Sequence, residues 1–349
     1  MRSICVARLV DGPWDVLESS PVMTADGGLQ KIIWIASYPK SGNTWVRIFI
    51  HNLLREIRGN AADVQDINRL SQYTTRECKA GPYQQLLGRS PQEWSPLDIA
   101  RARPEVQLLL AASHTRPFLV KTHLIMAQLA GFSTINLDAT LAGIYIIRNP
   151  LDVAISFAHH TGRSIEDIIA QMANPMQWCN PMENQVYEPM GSWSAHVASW
   201  MAVFDRPVFV MRYEDMLRSP LEVFGRLAGF LRLAPTGDQL QRAIDKSSFS
   251  EVSRQEQEKG FWEKPAIAEK FFRAGAADQW RDVLSKEQVQ RIASAHAPMM
   301  QRAGYLLPDC GGDVLPLPDQ RHLEDSPIGQ SATRAGEVTS SIAAFAPGG

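Results

Sequence analysis

The chain has 349 residues, with 35 basic and 37 acidic side chains, a net charge of −2 and 45% hydrophobic content. Near-neutrality argues against bulk nucleic-acid binding, and no run of about 18 apolar residues occurs, so no nucleic-acid partner and no integral membrane segment are expected. Its cysteines, Cys5, Cys78, Cys179 and Cys310, lie far apart with no C-x-x-C pair, which fits reduced thiols in a cytoplasmic protein.

Residues 1–30 read as an irregular leader. Its short apolar segment CVARLV is broken by Arg8 and followed by Asp11, which makes a poor signal peptide. The first buried strand is IIWIAS (32–37). It stops at YPKSGNT, and TWVRIFIHNLLREI (44–57) follows with Trp45, Phe49 and Leu53 on one helical line and Ile50, Leu54 and Ile57 beside it. A strand, a turn containing glycine and a helix make an anion site, because the first N–H groups of a helix lack partners and the helix dipole adds positive charge there. Lys40 adds a full charge. Ser41, Asn43 and Thr44 supply short polar side chains around Gly42. The alternative is an ordinary capped turn with a solvated lysine. The turn is not the GxxxxGK[ST] P-loop, since its lysine precedes the glycine and the loop is shorter.

Segments 60–115 and 161–191 are less regular, and their Trp, Met and Pro content fits either flaps around a site or variable packing helices. The next strands are FLVKTH (118–123), AGIYIIR (142–148) and PVFVMRY (207–213). None alternates cleanly with polar residues, which suits a parallel sheet covered on both faces. Helices are expected over 149–160, with Asn149 as N-cap and Pro150 at the first position, over 192–204, and over 219–233 with Ser219 as cap and Pro220 at the first position. Strands alternating with helices mean an α/β fold. Residues 308–349, rich in Gly, Pro, Ser and Ala, read as a disordered tail.

Each strand ends at a chemically capable residue: Lys40 just after the first, His123 on the second, Arg148 on the third and Tyr213 on the fourth. In open parallel sheets, ligands bind at the carboxyl ends of strands. Arg148 offers a forked pair of donors suited to phosphate, with Ser156 two turns into the next helix. Two anion sites on one sheet fit a nucleotide bisphosphate. No HExxH, DxD or Cys/His ligand set is visible, and His159 and His160, adjacent on a helix, point apart; no metal is expected.

YPKSGNTW (38–45) and the Arg148–Ser156 stretch closely resemble the two cofactor signatures of cytosolic-type sulfotransferases, which use 3′-phosphoadenosine 5′-phosphosulfate (PAPS) as donor and release 3′,5′-adenosine bisphosphate (PAP). The resemblance continues at KTH (121–123), RYED (212–215), SSF (247–249) and FFRAGAADQW (271–280), in family order over roughly residues 31–305. It implies a P-loop-like sulfotransferase fold over 31–307, a central parallel sheet flanked by helices on both faces. It places Lys40, Ser41, Gly42, Asn43 and Thr44 on the 5′-phosphosulfate and Trp45 near the adenine. Arg148 and Ser156 would hold the 3′-phosphate, with Arg273 and Gly275 closing over it. Tyr213, Ser247 and Phe249 would surround the adenine. His123 would be the general base, and Lys121, on its face of the strand, would assist it or cap the pocket.

The sequence departs from the family at Ala274, where a lysine is usual, and at ADQW (277–280) in place of GDW. Arg254, Lys259 or Lys270 is expected to replace the missing cation. Trp94, Met172, Met176, Trp178, Tyr187 and Met190 point to a small apolar or aromatic acceptor with a hydroxyl or amine. The rival readings are a nucleotide kinase or other NTPase, and a non-catalytic nucleotide-binding protein.

Overall fold

The computed structural model describes residues 30–59, 66–179, 184–202 and 205–305. The expected tail, and all but Gln30 of the expected leader, lie outside these residues. In chain order the strands are β1 (Ile32–Ser37), β2 (Thr74–Arg76), β3 (Phe118–Thr122), the short pair β4 (Gln128–Leu129) and β5 (Phe132–Ser133), β6 (Thr140–Ile147), a second short pair β7 (Trp178–Cys179) and β8 (Glu188–Pro189), and β9 (Val208–Arg212). The helices are α1 (Asn43–Ile57), α2 (Ala80–Leu87), α3 (Pro96–Ala112), α4 (Pro150–Thr161), α5 (Ile165–Ala173) and α6 (Trp193–Met201). They continue with α7 (Tyr213–Arg218), α8 (Pro220–Phe230), α9 (Gly237–Asp245), α10 (Phe249–Lys259), α11 (Trp280–Val283) and α12 (Lys286–Arg302).

The main sheet has the order β2-β3-β1-β6-β9, with every pair parallel. All six residues of the central strand β1 are buried. Successive side chains of a strand point to opposite faces. Ile32, Trp34 and Ala36 therefore enter one apolar layer, with Phe157, Met172, Trp193 and Ile292 from α4, α5, α6 and α12. Ile33 and Ile35 enter the other, with Phe49, Phe224 and Ala243 from α1, α8 and α9. Burying each such large apolar side chain contributes roughly 1.5–3 kcal/mol, which explains why the apolar runs so clearly mark the strands.

The four expected strands form within a residue or two of their expected ends. The fifth, β2, was not expected: Thr-Thr-Arg at a sheet edge has no apolar run to reveal it. Segment 60–115 supplies α2 and α3 as packing helices. Asn149 caps α4 as expected, accepting from the N–H of Leu151 at 3.0 Å. Ser219 stands at the cap position of α8, but its hydroxyl makes no cap bond, because α7 runs directly into α8 and gives Ser219 φ −136°, ψ 60°. The expected helix 192–204 ends earlier, at Met201, and its last two residues lie outside the described ones.

Candidate active site

β1 ends at Ser37 and the chain turns into α1 within five residues. Lys40 takes φ 68° and Gly42 φ 106°, both in the left-handed region. A Cβ on Gly42 would lie 2.8 Å from Cδ2 of Tyr213, so glycine meets both the backbone demand and the close approach of the ring. Ser41 is buried, and its hydroxyl has no protein partner. Asn43 serves the turn itself: Nδ2 donates to the Ile35 carbonyl at 2.9 Å. Thr44 is half-buried beside it. Trp45 meets Tyr213 edge-on, with ring centres 5.6 Å apart.

Lys40 Nζ donates to Nδ1 of His160 at 3.1 Å and lies 4.5 Å from the centre of the Phe271 ring. Burial first, then the charges of Arg148 and Lys121, push its pKa down to about 7. The same effects hold His160 neutral: burial, Lys40 and Lys121 push it down to about 3. Lys121 lies in β3, half-buried, and its charge is felt by Lys40, His123 and His160.

His123 follows β3 directly. Its Nδ1 lies 2.8 Å from the carbonyl oxygen of Ser37. A carbonyl only accepts, so Nδ1 carries the hydrogen and Nε2 keeps its lone pair. Burial, then the charge of Lys121, lowers the imidazole well below its ordinary pKa and leaves it neutral. Its backbone is clamped on both sides of Cα. The N–H donates to Oε1 of Glu188 on β8 at 2.9 Å, and the carbonyl accepts from Nε2 of His196 on α6 at 3.1 Å. The Tyr145 hydroxyl donates to Nδ1 of His196 at 2.8 Å, completing the relay.

Arg148 follows β6. Its guanidinium donates to the carbonyls of Lys40 (3.2 Å) and Ala276 (3.0 Å) and lies 4.2 Å from the Tyr213 ring centre, with Nε buried and unpartnered. The RYED stretch explains how Arg148 is set: Glu214 accepts from the N–H of Asn149 at 2.9 Å and from the Tyr305 hydroxyl at 2.9 Å. Ser156 is half-buried on α4.

The segment 271–280 crosses this end of the sheet and is tied down at both ends by carboxylates. Glu256 accepts from the N–H groups of Phe271 and Phe272 at 2.7 and 2.9 Å. Asp152 accepts from those of Asp278 and Trp280 at 2.8 and 3.1 Å. Gly275 takes φ 58°, and a Cβ there would lie 2.3 Å from the Phe249 ring. ADQW thus takes the path that lets Asp278, at φ 60°, and Trp280 present their N–H groups to Asp152.

The structure brings Lys40, Ser41, Gly42, Trp45, Lys121, His123, Arg148, Tyr213, Phe249 and Gly275 into one linked set. Ser247, Arg254, Lys259 and Lys270 stand differently from expectation. Ser247 is fully buried, its hydroxyl accepting from Nδ2 of Asn52 at 2.9 Å and donating to the Ala243 carbonyl at 2.6 Å, so it braces α9 against α1 behind the site. Arg273 is exposed and donates to Gln279, and it stays on the Arg148 side of the segment, where burial, then the charge of Arg148, lowers its pKa. Arg254, expected to replace a missing cation, is exposed and bound to Glu251 and Glu258 on its own helix. Lys259 and Lys270 are exposed as well.

Glu188, His196, Asp152, Glu256 and His160 carry positioning contacts that sequence reasoning did not single out. Two had a readable signal. Asp152 and His160 lie four residues either side of Ser156, and four-residue steps share a helix face. The groups facing the turn are nearly all donors: an ammonium, an unpartnered hydroxyl, an unpartnered guanidinium nitrogen and a helix N-terminus. Such a set fits an anionic group. Among the described residues, no three His, Cys, Asp or Glu side chains are grouped to hold a metal.

A sulfotransferase-domain profile matches residues 30–304. The chain is 24% identical to sulfotransferase 1A1 of Canis lupus familiaris over 277 residues, covering 77% of this chain and 83% of the relative. It is 28% identical to human sulfotransferase 1E1 over 242 residues, covering 68% and 70%. To cytosolic sulfotransferase 10 of Arabidopsis thaliana it is 23% identical, covering 81% and 83%. Its fold is similar to that of retinol dehydratase solved with androsterone and the inactive cofactor PAP, with a TM-score of 0.53 at 20% identity, covering 80% of this chain and 83% of that one.

Proposed function

The chain belongs to the sulfotransferase-domain family, matched over residues 30–304, and on that premise we propose which residues do what in its reaction. It transfers a sulfuryl group from PAPS to a hydroxyl of a small acceptor and releases PAP. When bound, the donor supplies a sulfuryl group on a phosphate that becomes the leaving group. One observation carries the residue roles: the hydrogen bond from His123 Nδ1 to the Ser37 carbonyl joins the base on β3 to the strand end that opens the Lys40 turn.

His123 Nε2, with its lone pair free, takes the proton of the acceptor hydroxyl as it attacks. Glu188 and His196 fix the His123 backbone, so the imidazole keeps its place. Lys40, Ser41 and the N-terminus of α1 hold the 5′-phosphate side, and Lys40 steadies the charge that grows on the leaving oxygen. Lys121 adds positive charge on the sulfuryl side. Arg148 and Ser156 hold the 3′-phosphate, with the segment 271–280 over them. Tyr213, Trp45 and Phe249 wall the adenine.

The acceptor is small and apolar or aromatic. Trp178 and Tyr187, edge-to-face at 6.1 Å, stand by the β7–β8 pair that carries Glu188. Retinol dehydratase, similar in fold, is known with retinol and with androsterone. A screen of phenols, alcohols and amines with sulfur-labelled PAPS tests the reading. Transfer to an aromatic or apolar hydroxyl with PAP release is expected. No transfer to any member, with phosphoryl transfer from ATP instead, would contradict it.

A further inference from the structure

Lys40 is held at both ends from one helix and the residue pair before it. Its carbonyl accepts from Arg148, two residues before α4, and its ammonium reaches Nδ1 of His160 in the last turn of α4 at 3.1 Å. Phe271 closes the third side, 4.5 Å from Nζ and edge-to-face with the His160 ring at 5.8 Å. The left-handed backbone at Lys40, φ 68°, sets where its side chain leaves the turn.

We propose that His160 is the positioning residue of Lys40: its Nδ1 lone pair, with the Phe271 ring, holds the ammonium at the mouth of the anion turn. In its ammonium form, the form that steadies the leaving phosphate, Lys40 has donors only, so Nδ1 then accepts and the ring hydrogen sits on Nε2. That assignment requires a neutral imidazole. The charged groups acting on it, Lys40 and Lys121, oppose its protonation, as does burial. A free lysine side chain must give up much rotamer freedom to meet one oxygen in the transition state. Here that freedom is already removed, and the loss would fall on turnover rather than on donor affinity. What Lys40 does in catalysis rests on the sulfotransferase reading; the contact itself does not.

Asparagine can place Oδ1 where Nδ1 stands, and leucine has no acceptor. With saturating PAPS and the acceptor found by the screen, His160→Leu should lower kcat roughly ten- to hundredfold, the scale of a lost hydrogen bond to a charged group. PAP affinity should change little, His160→Asn should recover most of kcat, and His160→Leu should add nothing to Lys40→Ala. Equal losses for Leu and Asn, or an additive loss on Lys40→Ala, would overturn the proposal. Acetic anhydride labelling of Lys40 reads the contact without turnover. Its reactivity should rise in His160→Leu and stay near wild type in His160→Asn; no change in either variant would overturn the contact. A wild-type protein that moves no sulfuryl group would instead sink the sulfotransferase reading, with the labelling result still deciding the contact.

Discussion

The turn after β1 and the segment 271–280 both meet Arg148, yet they are built in opposite ways. The turn is made from consecutive residues: one glycine, one lysine in the left-handed region, and a helix start. The segment has no regular structure before α11 and is held by side chains from elsewhere, Glu256 at one end, Asp152 at the other and Arg148 at Ala276. We propose that the turn, written into consecutive residues, serves the chemistry, and that the segment, tied by carboxylates of other elements, serves donor retention.

The largest effect is expected at the end of β3. His123→Ala should cost roughly 10²–10⁴ in turnover, the usual worth of a general base, with PAP affinity preserved in calorimetry. Near-normal turnover would show that the proton leaves by another route. In the turn, Lys40→Ala should lower kcat by about 10²–10³, as loss of a donor to developing charge does, and weaken PAP binding less. A rise in donor KM with kcat unchanged would make the turn a binding device and erase the contrast with the segment.

The segment should give the reverse signature. Asp152→Asn or Glu256→Gln weakens bonds from two backbone N–H groups to a charged acceptor, and PAP should bind roughly ten- to hundredfold more weakly while kcat at saturating donor holds. Ala274→Lys should gain little, since this segment is already anchored at its ends. A tenfold gain would show that a cation at 274, not the carboxylate ties, limits closure.

Reading the sequence located the turn because it is built from consecutive residues. YPKSGNT compresses a strand end, a charge, a glycine and a helix start into seven residues, so local chemistry is visible without tertiary contacts. The apolar runs located four strands because each sends large apolar side chains into both layers of the core. β2 stayed hidden, being three polar edge residues, and so did the ties at Asp152, Glu256 and Glu188, whose partners are backbone N–H groups, which carry no side-chain signal in the sequence. Ser247 was named through resemblance alone, and its hydroxyl is occupied by Asn52 and Ala243.

A smaller effect tests the electrostatics of the turn. Without donor, the Lys40 pKa is pushed from 10.5 to about 7. An anion beside the ammonium raises it again, so binding takes up a proton at pH values above about 7. PAP affinity should therefore fall as pH rises from 7, by at most about tenfold per unit. Calorimetry at pH 8 in buffers of different ionisation enthalpy should show proton uptake of less than one equivalent; proton release would reverse the sign and contradict the burial of Lys40.

The central claim is that the carboxyl ends of the neighbouring strands β1 and β6 carry two anion sites, at Lys40 and at Arg148, that together take a nucleotide phosphorylated at both 3′ and 5′ positions. Calorimetric titration with PAP, 5′-ADP and ATP on the same preparation tests it most directly. The account expects PAP to bind much more tightly than 5′-ADP, with Arg148→Ala abolishing that preference. ATP or 5′-ADP binding as well as PAP, unaffected by Arg148→Ala, would contradict it.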